Sequence, residues 1–150
     1  MANNLPPIPL AYRILLLWFE PLAAFNGALL CLFSPSTFLR TFTVLPYVAA
    51  SQVIYDQLAA CYVLFAWNEA IVLRYSQDLR VWKAIVLGIL VCDMVHLYAS
   101  WHALSTEVFL RPWLWRAEEW VNHALLYGPG AMRVAFLMEV GFGKEKKKRN

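Results

Sequence analysis

The chain has 150 residues, of which 61% are hydrophobic and 15% charged, and its formal net charge at pH 7 is +3. Soluble domains are roughly 45–50% apolar and about 25% charged, and one water-soluble core of this size cannot bury so many apolar side chains. The composition therefore excludes a disordered chain and argues against nucleic-acid binding. It predicts a single domain whose apolar excess faces lipid.

Four stretches are apolar and long enough to cross a bilayer, which takes about 20 residues. They cover residues 10–33, 47–73, 81–102 and 120–142. Glu20 interrupts the first stretch and no cleavage site follows it, so we interpret it as a retained span rather than a signal peptide. Because the connections are short, neighbouring spans should pack antiparallel. The predicted fold is an all-α, four-helix transmembrane bundle.

Basic residues predict the orientation of this bundle. Five of the 13 Lys and Arg residues lie in the last seven positions, which divides the chain into a membrane domain over residues 1–143 and a basic cytosolic tail over 144–150. The tail would share one side with Arg74, Arg80 and Lys83, whereas the other side would carry Arg40, Arg111 and Arg116. The positive-inside rule then places both termini in the cytosol. The endoplasmic reticulum is the default location for such a multi-pass protein.

Ionisable residues within the spans are the candidates for function. A charge near the bilayer centre costs at least ~2.5 kcal/mol, so such residues are expected to face the bundle interior. Helical spacing places Asp93 and His96 on one face, and Glu69 on the same face as Tyr62 and Phe65. The candidates placed along the spans are Glu20, Asp56, Glu69, Asp93, His96 and Arg133. Of these, Asp56 alone is predicted to point elsewhere.

Two prolines predict irregular helices. Gly128-Pro129-Gly130 lies in the middle of the fourth span, where a kink or break is expected. Unsatisfied backbone at membrane depth is tolerated only in buried or cavity-lining positions, so this segment suggests a pocket beside Arg133. Pro21 is expected to bend the first helix in a similar way.

Several motifs carry a resemblance to a known family. They are Trp18-Phe19-Glu20-Pro21, the N-E-A-x-V-L-R element from Asn68 to Arg74, the D-x-x-H-L-Y element from Asp93 to Tyr98, and Asn122 with the segment from Met132 to Leu137. Over nearly its whole length the chain resembles small fungal four-span membrane proteins. Some members of such families resemble the membrane-bound terpene cyclases of meroterpenoid biosynthesis, including the macrophorin type.

The resemblance implies a fungal secondary-metabolism enzyme that folds a prenyl chain attached to a polyketide-derived ring. The polar positions of the family fall on Glu20, Asn68, Glu69, Asp93, His96 and Arg133. The chain departs from the family pattern at Pro129, where a plainer glycine-containing stretch is expected. The shape of the pocket, and with it the substrate, is therefore left open.

Cyclisation of a polyene needs a proton donor, a dry interior and aromatic faces that tolerate a cation. A carboxyl group buried in an apolar bundle favours its neutral form and is available as a general acid. The predicted catalytic residues are Glu69, Asp93 and His96. Either carboxyl is a candidate donor, and His96 would orient Asp93 or accept the final proton.

The predicted substrate-binding residues are Asn68, Trp67, Tyr98, Trp101, Arg133 and Glu20. Asn68 would fix the donor by a hydrogen bond, and Arg133 would pair with Glu20 or hold the polar head of the substrate. Aromatic rings would each stabilise the cation by roughly 0.5–2 kcal/mol. The rings considered for this role are Trp67, Trp82, Tyr98, Trp101 and Phe136.

No cofactor or metal is predicted, because metal-ligand spacing is missing and Cys31, Cys61 and Cys92 form no CxxC pair. The expected partners are a lipophilic prenylated substrate, the lipid bilayer and a second copy in a homodimer. Two alternatives stay open. One is an intramembrane sterol or isoprenoid double-bond isomerase. The other is a non-enzymatic assembly protein, in which Glu20 pairs with Arg133 only to join helices and Glu69 pairs with Arg74.

Overall fold

A computed structural model describes residues 6–143, and the regular elements within that range are all helical. The five helices are α1 (Leu10–Phe33), α2 (Pro35–Arg40), α3 (Ala49–Tyr75), α4 (Leu79–Phe109) and α5 (Ala117–Leu137). A single 3-10 turn, Pro112–Leu114, lies between α4 and α5. The predicted all-α class is confirmed. The basic tail, 144–150, lies outside the described residues.

Three of the described helices, α1, α3 and α4, are long and apolar enough to cross a membrane. Many of their large apolar side chains are exposed, among them Leu10 and Phe33 at the two ends of α1. Such surfaces suit lipid rather than water, and the chain is therefore a membrane protein. The first predicted span has the bounds of α1, whereas α4 extends beyond both ends of its prediction.

The fourth predicted span overlaps α5 but ends later than the helix does. Helix α5 runs from Ala117 to Leu137 and is less apolar than the other three because it carries Asn122, His123 and Arg133. Its polar residues are buried or half-buried rather than exposed. They face other parts of the protein, so α5 contributes polar side chains to the interior.

Two apolar clusters hold the helices together. The first lies where α1 begins and α5 ends, with Leu16, Trp82 and Phe136 fully or almost fully buried. The second joins α1, α2 and α3 through Cys31 and Phe38. Along α1, the stretch between these clusters carries Glu20 and lines a cavity.

Both α1 and α3 open into a π-helical turn in the same region. These turns cover Leu15–Phe19 and Asn68–Val72, and they pack against each other. Pro21 has no N–H to donate to the carbonyl of Leu17, and Arg74 Nη2 donates to that oxygen instead, at 2.6 Å. Arg74 also donates to the carbonyl of Ala70 in the second π turn. One guanidinium therefore supports both irregular turns.

Of the kink or break expected at Gly128-Pro129-Gly130, the break is absent, because α5 runs through Pro129 as one helix; a kink there stays a prediction. A proline removes one hydrogen bond, and the turns on either side keep theirs. The irregular backbone lies instead at Ser105 in α4, where φ is +67° and ψ is 156°. Pro129 nevertheless lines the cavity, as the sequence suggested for this segment.

Candidate functional site

A cavity of about 310 Å³ lies among the helices, and its walls come from α1, α2, α3, α4, α5 and the residues just after α2. Most of the wall is apolar. The carboxyl, imidazole, guanidinium and amide side chains that line it are Glu20, Asn26, Glu69, Asp93, His96, Asn122 and Arg133. The structure thus brings all three predicted catalytic residues to one cavity, together with Glu20 and Arg133.

Arg133 on α5 is the cation of this site. Its Nη2 atom lies 2.8 Å from Glu20 Oε2, and its Nη1 atom donates to Asp93 Oδ2. All three side chains are buried. Neither Glu20 oxygen has a well-directed hydrogen bond to another described residue, and the Glu20–Arg133 contact is an ion pair. The suggested pairing of Glu20 with Arg133 is present, and Asp93 completes a link between α1, α4 and α5.

Glu69 is the buried carboxyl of the site that has no cation within ion-pair distance among the described residues. Its side chain is 2% exposed and faces the carboxyl of Glu20. Its Oε1 atom has no hydrogen-bond partner in the described part of the chain. The alternative partner, Arg74, is engaged with backbone carbonyls instead. The Glu69–Arg74 interpretation is therefore wrong.

His96 does not hold Asp93. Its Nε2 atom lies 3.3 Å from Asn122 Oδ1 on α5, while the carboxyl of Asp93 is taken by Arg133. The His96 ring lies against Phe42, with 5.2 Å between ring centroids. An imidazole held by an amide oxygen donates from one nitrogen and keeps the other available as an acceptor.

The predicted aromatic contacts do not line the cavity. Trp67 and Tyr98 are each 58% exposed, and Trp101 is 42% exposed. Each helical residue advances about 100°, so Trp67 and Tyr98, two positions from Glu69 and His96, face away from the site. Trp82 and Phe136 are buried in the first apolar cluster instead. Asn68 is half-buried and lies outside the cavity wall.

A different set of rings lines the cavity: Phe19, Phe38, Phe42, Tyr62 and Phe65. The ring centroids of Phe38 and Phe42 are 5.0 Å apart, and those of Phe38 and Tyr62 are 6.0 Å apart. The shared face of Tyr62, Phe65 and Glu69 is confirmed. The contribution of α2 was missed, although Ser34-Pro35 is a typical helix start.

Within residues 6–143 no three His, Cys, Asp or Glu side chains are arranged to hold a metal ion. The polar side chains of the site are carboxyls, an imidazole, a guanidinium and amides around an apolar space. It can hold a proton away from water and place it next to a lipophilic guest.

These features define a small helical membrane protein with an acid cluster buried among its helices. The family model for a domain of unknown function, DUF7704, matches residues 2–144, and the chain belongs to that family. No curated protein and no solved structure is similar enough to match the chain.

Proposed function

We propose that this protein is a membrane-bound terpene cyclase that protonates a farnesyl-type prenyl chain on a meroterpenoid precursor and closes it into rings. The observation that carries the proposal is Glu69. It is a buried carboxyl with no cationic side chain within 4 Å among the described residues. It lines an apolar cavity with aromatic walls. The volume of about 310 Å³ lies at the lower end of the range for small-molecule sites, roughly 300–1,000 Å³.

Charge balance supports Glu69 as the proton donor. Three buried carboxyls, of Glu20, Glu69 and Asp93, surround one guanidinium. If all three were ionised, two negative charges would stay uncompensated in a poorly solvated interior, which is strongly unfavourable. Arg133 is paired with Glu20 and Asp93, so a retained proton belongs on Glu69 or between Glu69 and Glu20.

The reaction is an isomerisation in which protons balance. Glu69 transfers its proton to the terminal alkene of the prenyl chain, or to its epoxide oxygen, and becomes a carboxylate. The resulting carbocation is attacked by the next double bonds, so carbon–carbon bonds form and rings close. Loss of a proton from the last cation to His96 ends the sequence, and return of that proton to Glu69 restores the enzyme.

The surrounding side chains suit the cationic intermediates. Phe42 lies against His96, and Phe38, Tyr62 and Phe65 continue the aromatic wall. Each ring face stabilises a nearby cation by about 0.5–2 kcal/mol. The apolar remainder of the cavity disfavours water, which would capture the cation as an alcohol.

We also propose how the helices are arranged in the membrane. Helix α5 would complete a four-helix transmembrane bundle with α1, α3 and α4, in the endoplasmic reticulum and with both termini in the cytosol. A prenylated substrate partitions into lipid and would enter sideways between helices. A homodimer would enlarge the small cavity.

A structural role is the second candidate, and the Arg133 ion pairs favour it. Arg133 with Glu20 and Asp93 joins three helices at mid-depth, and this alone would account for those residues in an assembly protein. It does not account for Glu69 or for the aromatic cavity. Glu69 is therefore the residue that separates the two functions.

The test is expression with a farnesylated aromatic or epoxycyclohexenone precursor, followed by product analysis for wild type and Glu69→Gln. The proposal predicts a cyclised isomer from wild type and at least 100-fold less from Glu69→Gln at equal membrane level. Asp56→Asn is the matched control, because Asp56 is an exposed carboxyl on the same helix that contacts Gln52. A double-bond isomer without a new ring would instead indicate the isomerase, and full activity of Glu69→Gln would refute the assigned donor.

A further inference from the structure

Two arginines in the part of the chain that the structure describes have no carboxylate within ion-pair distance. Residues 6–143 contain eight Lys and Arg residues, and six of them lie within ion-pair distance of a carboxylate: Arg40, Arg80, Lys83, Arg111, Arg116 and Arg133. Arg13 and Arg74 have no such partner among the described residues. Both of them line one groove, which shares no lining residue with the cavity above.

The groove measures about 500 Å³ and lies where α1 begins, α3 ends and α4 begins. Its other polar side chains are Ser76 and Gln77, and Trp18 and Trp82 contribute to its walls. Among the residues that the structure describes, no Asp or Glu lines it. A concave site with two unpaired guanidinium groups and no carboxylate attracts an anion, and guanidinium binds phosphate by paired hydrogen bonds.

Arg74 is held in place for such a ligand. It donates to the carbonyls of Leu17 and Ala70, and its guanidinium lies 4.6 Å from the centre of the Trp18 ring. A guanidinium has more N–H donors than these two bonds use. Because the side chain is already ordered, a ligand that binds it would lose little affinity to ordering.

The face beside the groove is suited to an acyl chain. Leu10, Ile14 and Trp18 recur every four residues, so they lie on one side of α1, and they are 68%, 53% and 62% exposed. Tryptophan is enriched where a membrane meets water. An apolar strip that leads into an anion-binding groove matches a lipid, which has a phosphate at one end and hydrocarbon at the other.

We propose that this groove binds the phosphate headgroup of an anionic membrane lipid, through Arg13 and Arg74, at the membrane surface. The ligand chemistry is a phosphate ester, and the apolar strip assigns it to a lipid rather than to a free phosphate. The site is separate from the proposed catalytic cavity and does not depend on cyclase activity.

The test measures thermal stabilisation of the full-length protein in detergent micelles on titration with phosphatidic acid. Phosphatidylcholine, which has no net charge, and inorganic pyrophosphate are the comparison ligands. The variant is Arg13→Gln. The Arg13 side chain makes no hydrogen bond or ion pair with another described residue, so the substitution removes no such contact from the folded protein. Arg80→Gln is the matched control, because Arg80 is an exposed arginine at the same end of the molecule that pairs with Asp78 outside the groove.

We expect phosphatidic acid to raise the melting temperature of wild type and Arg80→Gln alike, and the apparent affinity of Arg13→Gln to fall about tenfold. Phosphatidylcholine should give no shift. Equal titrations for wild type and Arg13→Gln would overturn the site. Stabilisation by pyrophosphate as strong as by the lipid, and equally sensitive to Arg13→Gln, would overturn the lipid assignment.

Discussion

Arg133 is the residue on which the charge balance of the interior depends. It is the cation nearest two buried carboxyls, on α1 and α4. Removal of one partner from a buried ion pair leaves an uncompensated charge, which costs about 3–5 kcal/mol. Arginines on the surface of the protein differ from Arg133, because their exposed ion pairs contribute only roughly 0–1 kcal/mol to stability.

Arg133→Gln is therefore expected to lower the free energy of unfolding by about 3–5 kcal/mol. Denaturant unfolding in detergent micelles would measure the loss. Arg111→Gln, which removes an exposed pair with Glu107, should change stability by less than about 1 kcal/mol. Similar losses for the two variants would show that the Arg133 contacts are not the main interior link.

At single-residue scale the sequence identified the buried acids but not their partners. Intramembrane cost alone predicts that Glu20, Glu69, Asp93 and Arg133 turn inward, and they do. Which carboxyls pair with Arg133 depends on how three helices are rotated relative to one another. The spacing of residues along one helix does not determine that rotation. The expected Asp93–His96 contact failed for this reason, because Arg133 and Asn122 arrive from α5.

The helix pair α1 and α3 forms one wall of the cavity and the contact that positions the two glutamates. Gly27 is a close point in this packing, where an added Cβ atom would lie 3.4 Å from the ring of Tyr62. A larger side chain there must displace Tyr62 or separate the helices. The π turns that carry Glu69 and precede Glu20 would shift with them.

Gly27→Leu is expected to lower the free energy of unfolding by about 1–3 kcal/mol, as overpacking usually does, and to reduce product formation more than tenfold. Gly88→Leu is the control, since nothing lies within 4 Å of an added Cβ atom at Gly88. Thermal melts and product analysis on the same preparations report both effects. Equal behaviour of the two variants would contradict tight packing at Gly27.

Helices as elements were readily predicted, and their internal irregularities were not. Apolar runs locate α1, α3 and the start of α4 to within two residues because lipid exposure dominates their composition, whereas α4 continues seven residues past its predicted end. The π turns depend on a bond from Arg74 to the carbonyl of Leu17, 57 positions earlier, and no local pattern reports a contact of that range. At Pro129 the sequence predicted a kink or a break, and α5 continues there without a break.

At the scale of the whole molecule, the two ends differ in the positive charge that has no carboxylate partner among the described residues. Lys83 pairs with Glu139 at one end, and Arg40 pairs with Glu118 at the other. The first end also carries Arg13 and Arg74 and, in the sequence, leads into the basic tail. On the positive-inside rule, we propose that this end faces the cytosol.

Glycosylation-site insertion into the two loops would test that orientation. An acceptor sequence placed between residues 110 and 116, with a spacer, should be modified in microsomes, and the same insertion between residues 76 and 78 should not. The proposed topology of both termini would be refuted by the reverse pattern.

The proposed activity depends on transfer of a proton from a buried carboxyl to a prenyl chain, and an experiment in heavy water tests this transfer most directly. Membranes containing the wild-type protein should convert a farnesylated precursor in D₂O to a cyclic isomer that carries a single new deuterium at the carbon that was protonated, or at the hydroxyl oxygen if an epoxide opens. The deuterium on carbon would persist after transfer to H₂O. Folded protein that leaves the precursor unchanged, or an isomer with no additional ring, would contradict the account.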